Sequence, residues 1–184
     1  MTACTGAFPV AASHGKGRPH AGLPRGKDTA ISAGTSALQC AYRLLAYRGR
    51  SEKELRERMV LKGFDAQVID EVIARLLSQG FLDDRKLAAS LKRYACETKH
   101  LGLRGTRRFL RERGIPVQII EETVTDIDEA EIARKIIEKK MAVLRQYPQE
   151  KILRRLCGLL SRRGYSPETI RRALSSIAAA EDPR

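Results

Sequence analysis

No stretch of 18 consecutive apolar residues occurs in the chain, so a membrane-spanning helix is excluded. Cysteine is scarce and scattered. Cys4, Cys40, Cys96 and Cys157 stand 36, 56 and 61 residues apart, with no CxxC pair, which leaves neither a disulfide framework nor a zinc site to expect. Of the histidines, His14 and His20 fall in a Gly/Pro-rich stretch and His100 lies beside a loop, so all three read as exposed polar residues. There is no GxxxxGK[ST], no GxGxxG after a strand, no HExxH and no GxSxG. Asp83 and Asp84 form the conspicuous carboxylate pair, but adjacent residues at a loop-to-helix junction read as an N-cap and its neighbour. Neither an enzyme nor a bound cofactor or metal is expected. Aromatic residues make up only 5%, and no alternating strand pattern competes with the helical one described below.

What the chain has in excess is positive charge. Lys and Arg number 35 against 22 Asp and Glu, a formal charge of +13 on 184 residues. So large an excess repels itself, and it points to a polyanionic partner. With 42% hydrophobic residues, the chain is one domain or a short array of small units with enough apolar material for a core. Residues 1–36 hold six glycines and three prolines, and the apolar stretch around Ala7 to Ala12 is broken by Pro9. This segment reads as a disordered extension without the n- and h-regions of a signal peptide, which with the unpaired cysteines points to the cytoplasm.

From Leu38 onward one amphipathic helix follows another. Leu38, Ala41, Tyr42, Leu45 and Ala46 form a stripe that stops at Gly49. Ser51 with Glu54 predicts a capping box for a helix that ends at Gly63, and Asp65 caps a third helix that ends at Gly80. Gly63, Gly114 and Gly164 then recur at separations of 51 and 50 residues. Four residues before each stand Met59, Leu110 and Leu160; one after, Phe64, Ile115 and Tyr165. Six, ten and thirteen after stand Ile69, Ile120 and Ile170; Ile73, Val124 and Leu174; and Leu76, Ile127 and Ile177. All fifteen are apolar, and the order helix, cap, glycine, helix recurs with them. The fold class is therefore all-α, an elongated array of three tandem three-helix repeats spanning 37–84, 85–127 and 128–184. In the third, Asp128 with Glu131 opens a helix, Pro148 takes a first helical position, and Ser166 with Pro167 forms a cap-plus-N1 pair.

Charge is unevenly shared among these units. Residues 37–84 hold eight basic and eight acidic side chains, whereas 85–114 hold ten basic against Glu97 and Glu112. Residues 115–131 hold six acids and no base, and 134–172 return to twelve basic against three acidic. Arg104, Arg107, Arg108 and Arg111 fall at spacings of 3, 1 and 3, which puts them on one face of a helix that extends back to Arg104. That face is a candidate phosphate-binding surface, joined by Lys92 and Arg93. Arg154 with Arg155, and Arg171 with Arg172, offer a second. Stretches this poor in acid lack the i,i+4 carboxylates that a merely solvated helix carries.

Gly80-Phe81-Leu82-Asp83-Asp84 with Leu87-Ala88, then Gly105 with Arg107, Arg108 and Leu110, and Arg113-Gly114-Ile115, resemble the central signature of the RecX family of regulators of the RecA recombinase. Tyr42 to Leu45, Ser51 to Leu55 and Arg163-Gly164-Tyr165 fit the same family, so the resemblance runs from Leu38 to Ile177. It implies tandem three-helix repeats that bind RecA and its filament on single-stranded DNA, suppress ATP hydrolysis and strand exchange, commonly contact DNA, and belong to DNA repair and the SOS response. It also implies a monomeric, non-catalytic protein that occupies the filament groove or blocks filament growth. Phe81, Leu82, Asp83 and Asp84 are expected to support the middle unit. A stand-alone protein acting on single- or double-stranded DNA through the same arginines is the alternative. Leu87 stands where the family often has an aromatic residue, and residues 1–36 have no counterpart in it.

Overall fold

The computed structural model describes residues 27–180, which form α1 (Lys27–Tyr47), α2 (Glu52–Val60), α3 (Ala66–Ser78), α4 (Asp84–Arg93), α5 (Leu103–Glu112), α6 (Val117–Thr123), α7 (Glu129–Leu144), α8 (Gln149–Arg162) and α9 (Pro167–Ala180). A π-helical turn, Tyr94–Thr98, prolongs α4. Among the described residues there is no strand.

A local side-chain cap sets the start of α2, α4, α7 and α9. Asp83 accepts the Lys86 amide at 3.0 Å, Asp128 accepts Ala130 and Glu131 at 3.0 and 3.1 Å, and the Ser166 hydroxyl accepts Thr169 at 3.2 Å. Only half of the expected capping box at α2 forms. The Ser51 hydroxyl accepts the Glu54 amide, but the Glu54 carboxylate turns instead to Arg48 and Arg50. Asp65 occupies the N-cap of α3 without a side-chain bond, and Pro148 sits at the N-cap of α8, one place before the first helical residue. The larger departure is α1, which begins at Lys27, inside the stretch read as an extension. Adding turns to an existing helix costs far less than nucleating one, so the backbone before Leu38 joins α1 despite its poor periodicity. The rest of that expectation, residues 1–26, lies outside the described residues.

Each three-helix unit has its own core. The first gathers Leu55, Met59, Ile69, Ile73 and Leu76; the second Ala88, Leu91, Leu110, Ile115 and Ile120; the third Ile136, Ile152, Leu156, Leu160 and Tyr165. No residue belongs to two of them. All fifteen positions of the repeat lie in these cores or pack against them, and Gly63, Gly114 and Gly164 all take left-handed backbone, with φ of 83°, 75° and 76°. Phe81 and Leu82 are a correction. Leu82, 3% exposed, completes the core of the first unit, and Phe81, 60% exposed, sets its edge on Tyr42 of α1. They follow Gly80, where α3 has just ended, so they fold back on α3 and α1 and give the middle unit no support.

Polar locks join the units, and the same parts recur at both junctions. The arginine just before the repeat glycine reaches back to a carbonyl fourteen residues before the previous unit's glycine. Arg113 donates to Gly49 at 3.1 Å, and Arg163 donates to His100 at 3.4 Å and to Lys99. A carboxylate at the first residue of the following helix, α4 or α7, caps the previous unit's second helix: Asp84 accepts the Glu52 amide at 3.0 Å, and Glu129 accepts the Leu103 amide at 2.7 Å. The glycines make close approach possible. A Cβ on Gly114 would lie 2.6 Å from the Ser51 hydroxyl, and one on Gly164 would meet the backbone of Gly105. Asp84 is therefore more than the neighbour of an N-cap, and burial raises its carboxyl above the usual range.

Candidate functional site

α5 does extend back to Arg104, and its buried Thr106 and Leu110 leave the four arginines on the opposite side. Their environments differ. Arg104 and Arg111 are exposed and have no carboxylate partner among the described residues; Arg111 lines a groove at the first junction with Lys53, Arg56 and Asp84. Arg108 is 3.8 Å from Glu112, an exposed pair of little energetic weight. Arg107 holds Glu121 of α6 through two nitrogens, with a shortest contact of 2.7 Å. Lys92 is likewise tied to Asp126, at 2.8 Å, and that hydrogen bond holds the aspartate below the usual carboxylate range. Arg85 pairs with Glu122. The acidic run of 115–131 thus neutralises part of the basic stretch before it, through tertiary contacts that i,i+4 spacing does not reveal. Arg93, on the exposed side of α4, has no partner among the described residues.

In the third unit, Arg171 and Arg172 share Glu168 at 3.0 and 3.3 Å. Arg154 is exposed and has no carboxylate partner among the described residues. The Arg155 guanidinium lies 4.2 Å from the centroid of the Tyr147 ring. Of the ten basic residues singled out in the sequence, Arg93, Arg104, Arg111, Arg154 and Arg155 keep charge unanswered by a carboxylate, Lys92, Arg107, Arg171 and Arg172 are held in ion pairs, and Arg108 has only its long contact with Glu112.

Sequence reasoning missed two kinds of residue. Arg113 and Arg163 look like any other member of a basic run, yet they are committed to the junctions. Their position immediately before the repeat glycine was the available signal. His100 was read as an exposed polar residue, but it stands at the second junction with φ 48°, and its carbonyl accepts the Tyr165 hydroxyl at 3.0 Å. Burial, reinforced by Arg163, Lys139 and Lys135, holds its imidazole below the ordinary histidine range. Burial likewise pushes the Tyr165 phenol up. A third feature, Lys99, sits 5.7 and 5.1 Å from the ring centroids of Tyr94 and Phe109, giving α5 an aromatic flank topped by a cation. No helix among the described residues is long and apolar enough to cross a membrane.

Residues 37–76 match the family described as "RecX, first three-helix domain", and residues 127–174 match "RecX, third three-helix domain". The chain is similar to the "Regulatory protein RecX" of Chlorobaculum tepidum, 35% identical over 150 residues that cover 82% of this chain and 93% of that protein. It is similar also to the protein of that name from Trichlorobacter lovleyi, 35% identical over 138 residues that cover 71% and 88%. The fold agrees with a crystal structure of RecX from Lactobacillus salivarius, with a TM-score of 0.71 at 18% identity over 81% of this chain and 99% of that one.

Proposed function

This chain belongs to the RecX family of regulatory proteins, and from that premise we propose that it binds the RecA recombinase and its filament on single-stranded DNA. Bound there, it restrains ATP hydrolysis and strand exchange without catalysing any reaction, as a cytoplasmic monomer. The observation that carries this reading is the arrangement of three independent cores in series, linked by polar locks and bearing unpaired arginines on the second and third units. A chain of small units suits a helical groove better than a single ball of the same mass. The free arginines of α5 and α8 supply contacts to phosphates or to acidic patches along such a groove. Seated there, the array blocks duplex entry or filament growth.

The same arginines serve equally well in a protein that acts on DNA alone, so the test separates the two. Immobilised protein is offered RecA with and without single-stranded DNA, and strand exchange and ATP hydrolysis are followed in parallel. Retention of RecA with inhibition of both activities supports the proposal. Binding to DNA with no retention of RecA, or inhibition that persists for a DNA transaction lacking a recombinase, overturns it in favour of a stand-alone DNA-binding protein.

A further inference from the structure

Between α7 and α8 lies a groove of about 470 Å³ walled by Lys140, Arg154, Arg155 and Arg162, with no carboxylate in its lining. None of these four cations is ion-paired to a described residue. Arg155 is steadied from the side: its guanidinium and the Lys151 ammonium stand 4.2 and 4.5 Å from the Tyr147 ring centroid, and a stacked guanidinium keeps its N–H fork free at the edge. The groove floor holds Gly158, in the interior of α8, where glycine is less stable than alanine. The equivalent positions of the other two units, six before the repeat glycine, are Glu57 and Arg108. Gly158 takes ordinary helical backbone, and no neighbouring backbone approaches it; an added Cβ would meet only Arg162, 3.2 Å from Nη1. Packing therefore gives no reason for a glycine here, whereas an open floor beneath converging cations does.

We propose that this groove is a phosphodiester subsite, in which Arg155, Arg162, Lys140 and Arg154 hold the backbone of a single nucleic-acid strand and Gly158 leaves room for it. The inference deepens the nucleic-acid part of the function proposed above and rests on it. Tyr147 is a positioning residue: it steadies the Arg155 guanidinium and makes no contact with the strand.

The test titrates the full chain, without recombinase, against labelled oligothymidylate, the same strand made abasic, and inorganic phosphate. Its outcome is therefore independent of whether RecA is bound. Lys140→Ala with Arg162→Ala reduces the magnitude of the log K against log salt slope by about 1.4, two contacts at about 0.7 each. Gly158→Ala weakens strand binding by about threefold or more while raising the melting temperature by about 2–4 °C, a combination that a purely structural glycine does not produce. Tyr147→Phe binds as wild type and Tyr147→Leu weakens binding. The abasic strand binds as tightly as oligothymidylate. An unchanged slope in the double variant, full strand affinity in Gly158→Ala, or inorganic phosphate binding as tightly as the strand overturns the assignment.

Discussion

Replacing Gly164 by alanine tests whether the repeat glycine is there for its own turn or for the junction it enters. Gly63 is the internal control. Both residues have left-handed backbone, φ 76° and 83°, so an alanine at either carries a strain of about 1–2 kcal/mol. Around Gly63 an added Cβ meets nothing within 4 Å; at Gly164 it runs into the backbone nitrogen and Cα of Gly105 and lies 3.1 Å from the Arg104 carbonyl carbon. These are backbone atoms that cannot swing aside, so the junction has to open. Opening it breaks three backbone hydrogen bonds, from Gly102 to Arg163 at 3.0 Å and from Arg104 and Gly105 to Gly164 at 3.1 and 3.4 Å. At about 0.5–1.5 kcal/mol net each, the extra cost is about 2–4 kcal/mol, and it falls on the junction because each unit keeps its own core. Amide exchange reads this locally. In Gly164→Ala the Gly102, Arg104 and Gly105 amides exchange roughly 30- to 1,000-fold faster than in wild type, which is that free energy expressed as a ratio. In Gly63→Ala they do not change. Equal protection of those amides in the two variants refutes the reasoning.

Phe81→Ala costs about 1 kcal/mol, the edge contact with Tyr42 and little burial, whereas Leu82→Ala costs about 2–4 kcal/mol; urea denaturation of the two variants checks the order. Arg104→Ala, Arg108→Ala and Arg111→Ala together lower the single-strand salt slope by about 2 with little change in melting temperature, while adding Arg107→Ala changes the slope less than a further 0.7 because Glu121 already answers that charge. His100 binds a proton less readily in the folded protein than at its ordinary value of 6.5, so the unfolded chain takes up protons first as pH falls. Stability at the second junction is then fully present above that value and declines as pH drops through it. Exchange of the Gly102 amide in wild type tracks this decline; His100→Asn, which tolerates the left-handed backbone, flattens it.

Much of the fold was legible because its determinants are local. A stripe of apolar residues, a capping side chain and a glycine with positive φ act within a dozen residues, and three copies of that set reinforced one another. The registers of Met59, Leu110 and Leu160, each fully buried, follow directly. Reading the candidate site was harder: the basic stretches do hold local carboxylates, Glu112 for Arg108 and Glu168 for Arg171 and Arg172, and other charges are settled between helices. Arg107 finds its acid 14 residues away and Lys92 finds its own 34 away, distances at which spacing carries no signal. Phe81 and Leu82 are expected from the sequence to support the unit they precede, since nothing in a string of letters says which way a chain turns after a left-handed glycine. Arg113 and Arg163 stand in the family's motifs, but nothing local gives their role at the junctions. Only alignment on the repeat glycine sets them apart.

The two junctions share a plan but differ in stiffness. At the first, these contacts each have a side chain at one end: the Ser51 hydroxyl donates to the Arg113 carbonyl at 2.7 Å, Glu54 stands 3.7 Å from the Arg113 guanidinium, Arg113 donates to the Gly49 carbonyl and Asp84 accepts the Glu52 amide. At the second, the amides of Gly102, Arg104 and Gly105 bond directly to the Arg163 and Gly164 carbonyls, and Glu129 further ties Leu103 to Ser166 and Thr169. Side chains have rotamers to change and backbone amides do not, so the first junction is the softer hinge. Since no core crosses either one, bending there exposes little apolar surface and is opposed mainly by polar contacts. The first unit, neutral overall, is thus attached flexibly to a second and third unit that are held together more rigidly and carry the basic stretches. On the function proposed above, this arrangement lets the two basic units keep their spacing along a helical track and leaves adjustment to the local pitch to the first unit.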